Sequence, residues 1–514
     1  MKVVTAEEIK ALDERAVSEF KIPSLLLMEN AARGLVDQIE EKIGRVANLS
    51  AIILCGHGHN GGDGLAAARH LRMRGAIVSV TIFSPIEQFF GNSKIMLESW
   101  LNTGGTISHE PLEKNLRESR LIIDALLGTG LSHPVTGDLE KVILLINKVR
   151  RAHGITVIAV DIPSGISADT GERMGASVEA DYTFTMGLPK RGLFLREGLE
   201  CRGSWDVIDI GFPKTLVDQA NIKVELISPA DLKGKPLARP LAAHKGTFGH
   251  LLIIAGSRGK KGAAAMASLS ALRAGCGLVT TALPSSIDSI EPAVMEVMTL
   301  PVLETEAGTL SLKAEVELLK AVEGKDAVAI GPGLSQNPET VRLILNLIAQ
   351  IEIPMVIDAD GINALASDLT VLNNRKVAII LTPHAGEMGR LSGVSSETVQ
   401  QDRIGIAVSF SQKWGVTVVL KGAHTIIAAP DGTVSVANTG NPGMATAGTG
   451  DVLTGMIGGF LASGRDPLSA VILHGLAGDL ARDEMGEISL IASDIINKIH
   501  IAILRGNNPL NPIF

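Results

Sequence analysis

Apolar residues along this chain fall into short runs, and most of the runs end at glycine, aspartate or another polar residue. The run 51–56 leads into a glycine-rich turn at 56–64, a helical segment at 65–75 and a second apolar run at 76–83. That succession predicts strand, turn, helix and strand, a βαβ unit. Further runs end at Asp124 and Asp161, each before a glycine turn; another precedes Lys190, and 205–213 reads as the last strand of the first half. Between Gly211 and Gly246 the pattern weakens and prolines stand at 213, 229, 236 and 240. A linker is expected there, with the boundary near residue 220 and domains at 1–220 and 221–514. Residues 250–283 predict a second βαβ unit whose helix is lined with alanine. Later strands end at Gly331-Pro332-Gly333, Asp358, Thr382-Pro383-His384 and Lys421, and residues 415–436 read as a hairpin-like pair. The stretch NTGNPGMATAGTGDVLTG, 438–455, then runs into a helical pattern of Val452, Leu453, Met456, Ile457, Phe460 and Leu461. An opening helix is predicted too, with Thr5 and Glu8 at capping-box spacing.

Composition narrows the class. With 514 residues, two or three domains are expected. Glycine is abundant (55) while aromatics make up 3%, which suits α/β folds with ligand loops better than a stacking surface for single-stranded nucleic acid. A net charge of −8 gives no general attraction to nucleic acid or an anionic membrane. No apolar run reaches membrane-spanning length, and no signal peptide is expected. Cys55, Cys201 and Cys276 are too few and too scattered for a disulfide framework or a zinc site, so a cytoplasmic location is expected.

In the first half, Gly56, Gly58 and Gly61 have the G-x-G-x-x-G spacing of a Rossmann-like turn. The following strand ends Ile82-Phe83-Ser84, without the acid that would hold a ribose, so a phosphate or another polar ligand is expected instead of the standard dinucleotide mode. His57 and His59 lack partners at metal-binding spacing. Ligands of open parallel sheets lie beyond the carboxyl ends of the strands, where Asn60, Asp124, Asp161 and Ser164 would converge. Such oxygen-rich groups suit a hard cation, with potassium, magnesium and calcium all open.

In the second half, the 438–455 loop offers unpaired N–H groups and the positive end of a helix dipole to an anion. Asp451 would either cap that helix or act as a base during phosphoryl transfer. Lys421, at a strand end, suits a nucleotide phosphate, and His384 a ligand contact. Asp358 and Asp360 would bind magnesium or stabilise their turn.

The motifs GHGHNGGDGLAAARHL, DALLGTGL, AVDIPSGISADTG, GLPK and VIDIGFP resemble the epimerase domain of the NAD(P)H-hydrate repair enzymes over roughly residues 1–215. The resemblance implies interconversion of the R and S epimers of hydrated NADH or NADPH. It implies potassium held by Asn60, Asp124 and Ser164, and substrate held by His59, Asn60, Gly61, Gly62, Asp63, the loop Gly128, Thr129, Gly130, Leu131, Ser132, His133 and Pro134, and Asp161. Asp161 would move the proton, with Lys190 a second candidate. The family's turn usually has Asn at the position of His59 and Pro at that of His57.

The second half, through HKGTFGHLLIIAGS, GPGL, DADGIN, LTPHAGE, LKGAHT and the 438–455 stretch, resembles the ribokinase-like NAD(P)H-hydrate dehydratases over about 244–461. A Rossmann-like three-layer domain followed by a ribokinase-like three-layer α/β domain is therefore expected. The second resemblance implies an ADP- or ATP-dependent dehydration of the S epimer, with magnesium bridging the nucleotide phosphates and Asp451 taking the proton from the ring hydroxyl. Lys421, Gly422, Ala423, His424, Thr425 and Gly450 would bind the nucleotide; Ala263, Gly333, His384 and Asp451 would face the hydrated dinucleotide. Homo-oligomerisation is implied as well. The enzyme-class alternative is a small-alcohol kinase, and an adaptor role is the alternative for the first half.

Overall fold

In the computed structural model, residues 1–108, 113–235, 237–287, 290, 293–373 and 375–507 are described; Pro236 of the expected linker lies outside them. The chain divides into two compact units, Lys2–Ile222 and Lys223–Phe514, the latter with Met1.

The first unit is built on seven parallel strands: β1 (Ser50–Cys55), β2 (Ile77–Ile82), β3 (Ile107–Ser108), β4 (Leu121–Ala125), β5 (Thr156–Val160), β6 (Tyr182–Met186) and β7 (Ser204–Ile208). Their order in the sheet is β3-β2-β1-β4-β5-β6-β7. The inner strands read as continuous apolar runs because both faces are covered. Ile53, Ile123 and Ile158 pack beneath helices Ser24–Ile43, His59–Met73 and Gly91–Asn102. Ile52, Ile122 and Val157 pack beneath Gly137–His153 on the other face. The strand order reverses direction between β1 and β4, the crevice where ligands of such sheets bind.

The second unit has ten strands: β8 (Val224–Ile227), β9 (His250–Ile254), β10 (Leu278–Pro284), β11 (Met298–Val302), β12 (Ala327–Ile330), β13 (Met355–Ile357), β14 (Ile379–Leu381), β15 (Thr417–Leu420), β16 (Ile426–Ala428) and β17 (Val434–Ala437). The order is β11-β10-β9-β12-β13-β14-β15-β16-β17-β8. Among the described strands of this sheet, β15–β16 and β16–β17 pair antiparallel and the other neighbours pair parallel. Helices Lys261–Arg273, Thr449–Ala462, Pro467–Met485 and Ala492–Asn507 cover one face, and Arg403–Trp414 packs against β15 and β16. The first seven strands of this row repeat the arrangement of the first unit, and the crevice here falls between β9 and β12. The alanine lining of Lys261–Arg273 is used for close packing: a Cβ at Gly455 would stand 2.0 Å from the Ala267 carbonyl oxygen.

Two expectations are corrected. Residues 415–436 form three strands instead of a pair, because the Pro430–Gly432 turn folds β17 back on β16. The stretch 211–246 is largely built: Lys214–Gln219 is helical, and β8 pairs with β17 in register Val224–Val434. The alternation in Val224–Ile227 is too short to stand out, and its pairing partner, Val434–Ala437, lies 210 residues further along the chain. No helix among the described residues is long and apolar enough to cross a membrane.

Candidate active sites

In the first unit the glycine turn is shorter than expected. The helix after β1 begins at His59, so Asn60–Asp63 lie in its first turn, with Gly58 as N-cap and no side chain capping the N–H groups. Glycine is required here by close approach: a Cβ at Gly61 would stand 1.8 Å from the Gly56 carbonyl oxygen. Asn60 donates its amide to the Leu127 carbonyl at 2.8 Å, while its Oδ1 is buried without a hydrogen-bond partner. Beside it Asp124 is fully buried and accepts from the Ser164 hydroxyl at 2.6 Å, the Ser164 N–H at 2.8 Å and the Leu126 N–H at 3.2 Å. Burial pushes its carboxyl up to about 6, against the pull of those hydrogen bonds. The structure thus brings Asn60, Asp124 and Ser164 together around the Leu127 backbone. The donor set is one carboxylate, one amide oxygen, a hydroxyl and carbonyls, which fits a singly charged hard cation better than magnesium or calcium. The loop Gly128–Pro134 is adjacent: a Cβ at Gly128 would meet Asn60 Cβ at 3.2 Å, and Gly130, Ser132, His133 and Pro134 are exposed.

Asp161, just past β5, has φ +68°, a left-handed conformation that strains a non-glycine residue. Its Oδ1 accepts from the Met186 N–H at 2.9 Å, from the Thr185 hydroxyl at 3.2 Å and from the Lys190 ammonium. Lys190 is 1% exposed and also donates to the Met186 carbonyl at 2.9 Å. Asp161 and Lys190, two separate candidates in the sequence, are therefore one ion pair. With these bonds gathered on Oδ1, Oδ2 is the oxygen available to a ligand. Asp63 is held well above the usual carboxylate range by burial and by Asp161 and Asp13. Asp13, on the helix Ala6–Ser18, is itself pushed up to about 6, by burial first and against the pull of Lys190. Sequence reasoning missed it, since an acid on an amphipathic helix reads as surface. His57 bonds Ser84 at 2.9 Å, and His59 lies exposed beside Phe90.

In the second unit the helix again starts earlier than its apolar pattern, at Thr449, after Gly448 with φ +93°. Asp451 is in the first turn and does not cap it. Burial, then Asp358, pushes its carboxyl up to about 7; Lys421 pulls the other way. Asp358, 1% exposed at the end of β13, accepts from Lys421 Nζ at 2.6 Å and from the Thr454 hydroxyl at 2.7 Å. Glu387 stands 3.9 Å from the same ammonium. Burial alone would lower Lys421, but Asp358 and Glu387 outweigh it and its net shift is upward. A Cβ at Gly450 would lie 3.3 Å from Lys421 Nζ, so the bare backbone of the helix start faces this cluster. Thr449 Oγ1 is buried there without a hydrogen-bond partner.

His384 is more structural than expected. Its Nδ1 accepts from the N–H groups of Gly386 at 2.9 Å and Glu387 at 3.3 Å, completing a capping box with Glu387. With Nδ1 accepting, the ring proton is on Nε2, which stands 3.5 Å from Glu387 Oε1. Gly333 and Ala263 are neighbours: a Cβ at Gly333 would stand 3.2 Å from Ala263 Cβ. Asp360 accepts from the Ser335 N–H at 2.7 Å and from Lys260 at 3.4 Å. Asp358 and Asp360 are thus both engaged, and the partners of Asp358, Lys421 and Thr454, lie outside its own turn. Residues 421–425 wrap around Arg403, which donates to the carbonyls of Ala423 at 2.6 Å and Leu420 at 3.2 Å. His424 Nδ1 bonds the Ala437 carbonyl at 2.9 Å, and Thr425 Oγ1 donates to Gly422 at 3.3 Å. Arg403 gave no sequence signal, and Glu387 stood only as the end of the LTPHAGE motif with no role assigned; each is brought to the site by the fold.

Lys421→Met is expected to destabilise the protein by about 3 kcal/mol, since it leaves the buried Asp358 carboxylate without its cation. Thermal denaturation checks this, and Lys421→Met with Asp358→Asn is expected to recover much of the loss.

Residues 24–192 match the family described as YjeF-related protein N-terminus, and residues 251–500 match NAD(P)H-hydrate dehydratase. The bifunctional NAD(P)H-hydrate repair enzyme Nnr of Moorella thermoacetica is 42% identical over 97% of this chain and 96% of its own length. That of Escherichia coli is 34% identical over 87% of this chain and 84% of its own. A solved structure of the Bacillus subtilis ADP/ATP-dependent NAD(P)H-hydrate dehydratase, co-crystallized with ATP/Mg2+, is 34% identical, covers 55% of this chain and 98% of its own, and has a TM-score of 0.47. The near full-length identity spans both units and both clusters of strand-end residues, and on that ground the chain belongs to the bifunctional NAD(P)H-hydrate repair enzymes.

Proposed function

We propose that the chain carries out both reactions of its family: epimerisation of hydrated NADH and NADPH in the first unit, and ADP- or ATP-dependent dehydration of the S epimer in the second. The observation that carries this reading is Asp451, an uncapped carboxylate among first-turn N–H groups with Lys421 alongside. In the dehydration, Asp451 takes the proton of the ring hydroxyl as its oxygen attacks the terminal phosphorus of the nucleotide; the terminal phosphoanhydride bond breaks, releasing AMP from ADP or ADP from ATP. The N–H groups at 448–451 hold the charge that develops on the transferring phosphoryl group. The C–O bond then breaks with phosphate as the leaving group, a far better one than hydroxide, and the adjacent ring carbon gives up a proton to solvent as the ring double bond forms. Residues 421–425 and Gly450 bind the nucleotide, while Ala263, Gly333 and the Nε2–H of His384 bind the hydrated dinucleotide. Magnesium, carried on the nucleotide phosphates, would neutralise their charge.

For the epimerisation, Oδ2 of Asp161 is the proton-transfer atom, and Lys190 holds the carboxylate in position from the Oδ1 side. The His59–Asp63 turn and the Gly128–Pro134 loop hold the substrate. Asn60, Asp124 and Ser164 would hold potassium, which when bound balances the buried Asp124 charge. A cytoplasmic location and homo-oligomeric assembly go with this reading.

Two outcomes test it. Asp451 must lose its proton to act, so kcat/KM for dehydration is expected to climb about tenfold per pH unit below pH 7 and to level off above it. A flat profile from pH 6 to 8 removes Asp451 as the base. Exchanging potassium for a bulky organic cation is expected to slow epimerisation at least about tenfold and to leave dehydration of the pure S epimer unchanged.

A further inference from the structure

The phosphoryl-binding turn is held from behind by a neighbouring helix. Gly448 is the N-cap and Gly450 the second residue of the helix, so its first peptide planes have little side-chain restraint of their own. The helix Pro467–Met485 holds the segment leading into the turn through two residues, at 439–441, and the turn itself through one, His474. Asp479 accepts from the Gly440 N–H at 2.9 Å and from Asn441 Nδ2 at 3.0 Å. The Ile472 carbonyl accepts from the Thr439 hydroxyl at 3.2 Å. His474 Nε2 bonds the main-chain carbonyl of Thr449 at 3.1 Å. His474 is 7% exposed, and no other part of the functional reading uses it.

The Thr449 carbonyl and the Gly450 N–H belong to one peptide plane. In a trans peptide they point in opposite directions, so a bond that fixes the carbonyl also aims the N–H. A donor on the carbonyl also polarises the amide and strengthens that N–H as a donor. Gly450 is where the turn meets Lys421, with 3.3 Å from the site of an added Cβ to Nζ. We propose that His474 is a positioning residue for dehydration: its Nε2–H holds the Thr449–Gly450 peptide so that the Gly450 N–H faces the nucleotide phosphate. Burial keeps the imidazole neutral at working pH, its value lowered to about 4, so the donor is the Nε2–H tautomer throughout. The buried, unpartnered Thr449 hydroxyl lies on the same restrained turn.

The proposal rests on the dehydratase reading, and its test separates the two. His474→Phe fills the space without a donor, and His474→Gln returns an N–H at a similar reach. Binding of ADP with magnesium is measured by calorimetry, and dehydration of the S epimer by absorbance, for wild type and both variants. His474→Phe is expected to lose about 10- to 100-fold in kcat and to bind ADP several-fold more weakly, with KM for the hydrated dinucleotide within about twofold of wild type. His474→Gln is expected to recover both to within about threefold. Wild-type kcat and ADP affinity in His474→Phe would overturn the proposal, and so would equal impairment of Phe and Gln variants accompanied by equal loss of melting temperature. A wild type that binds ADP but does not dehydrate would overturn the dehydratase reading alone, with the ADP affinities of the variants still deciding the role of His474.

Discussion

Asp451→Asn is expected to cut nucleotide-dependent dehydration about a thousandfold to ten-thousandfold while leaving epimerisation at its wild-type rate. Asn keeps the shape of the side chain and its acceptor oxygen but takes no proton from the ring hydroxyl. The same change is expected to stabilise the fold. In the native state the carboxyl is raised to about 7, by burial first and then by Asp358, whereas in the unfolded chain it has its ordinary value near 4. The folded protein therefore holds the proton more tightly, and the wild type loses stability as pH rises from about 4 to about 7, after which the cost is constant. Asp451→Asn is accordingly expected to be more stable by on the order of 1–3 kcal/mol at pH 8, and by less at pH 5. Denaturation midpoints at the two pH values check the sign. A variant that is inactive and also less stable at pH 8 would mean that Asp451 holds the helix start together instead of being held there for chemistry.

Asp161→Asn is expected to lower the enzyme-catalysed epimerisation rate about a hundredfold to ten-thousandfold without changing dehydration of pure S epimer. Asn tolerates the left-handed backbone at this position, and its Oδ1 still accepts from Met186 and Thr185. What it lacks is the charge facing Lys190 and the oxygen that moves the proton. Because hydrated dinucleotides epimerise spontaneously, the rate is read as enzyme-catalysed exchange between the epimers after subtraction of the blank. Unchanged exchange would transfer the role to another group, with Asp63 and Asp13 the adjacent carboxyls.

The strand ends were the most legible part of the sequence. Asp124, Asp161, Asp358 and Lys421 each close an apolar run before a turn, and a parallel sheet has to present all such residues at one edge. Helix starts were less legible. Both glycine-rich turns enter the helix several residues before the apolar pattern begins, because Gly61 and Gly450 carry no side chain that could display helical periodicity. Partnership was not legible at all. Lys421 read as a cation for a phosphate, whereas its ammonium also balances Asp358, 63 positions away in sequence. Arg403 and His474 lie on helices whose own patterns mark them only as polar residues among apolar ones, and Glu387 reads only as the end of the LTPHAGE motif. Their meaning comes from what the fold brings up against them: two carbonyls, an ammonium and a peptide plane.

The central claim is that one chain returns both epimers to the reduced dinucleotide. The direct measurement is recovery of the reduced-nicotinamide absorbance from a mixed-epimer preparation of hydrated NADH, with magnesium and potassium present and ADP or ATP in separate runs. Complete recovery, faster than spontaneous epimerisation allows, is predicted with at least one nucleotide. Recovery that stops at the S fraction would contradict the epimerase half, and no recovery with either nucleotide would contradict the dehydratase half and turn attention to a small-alcohol kinase.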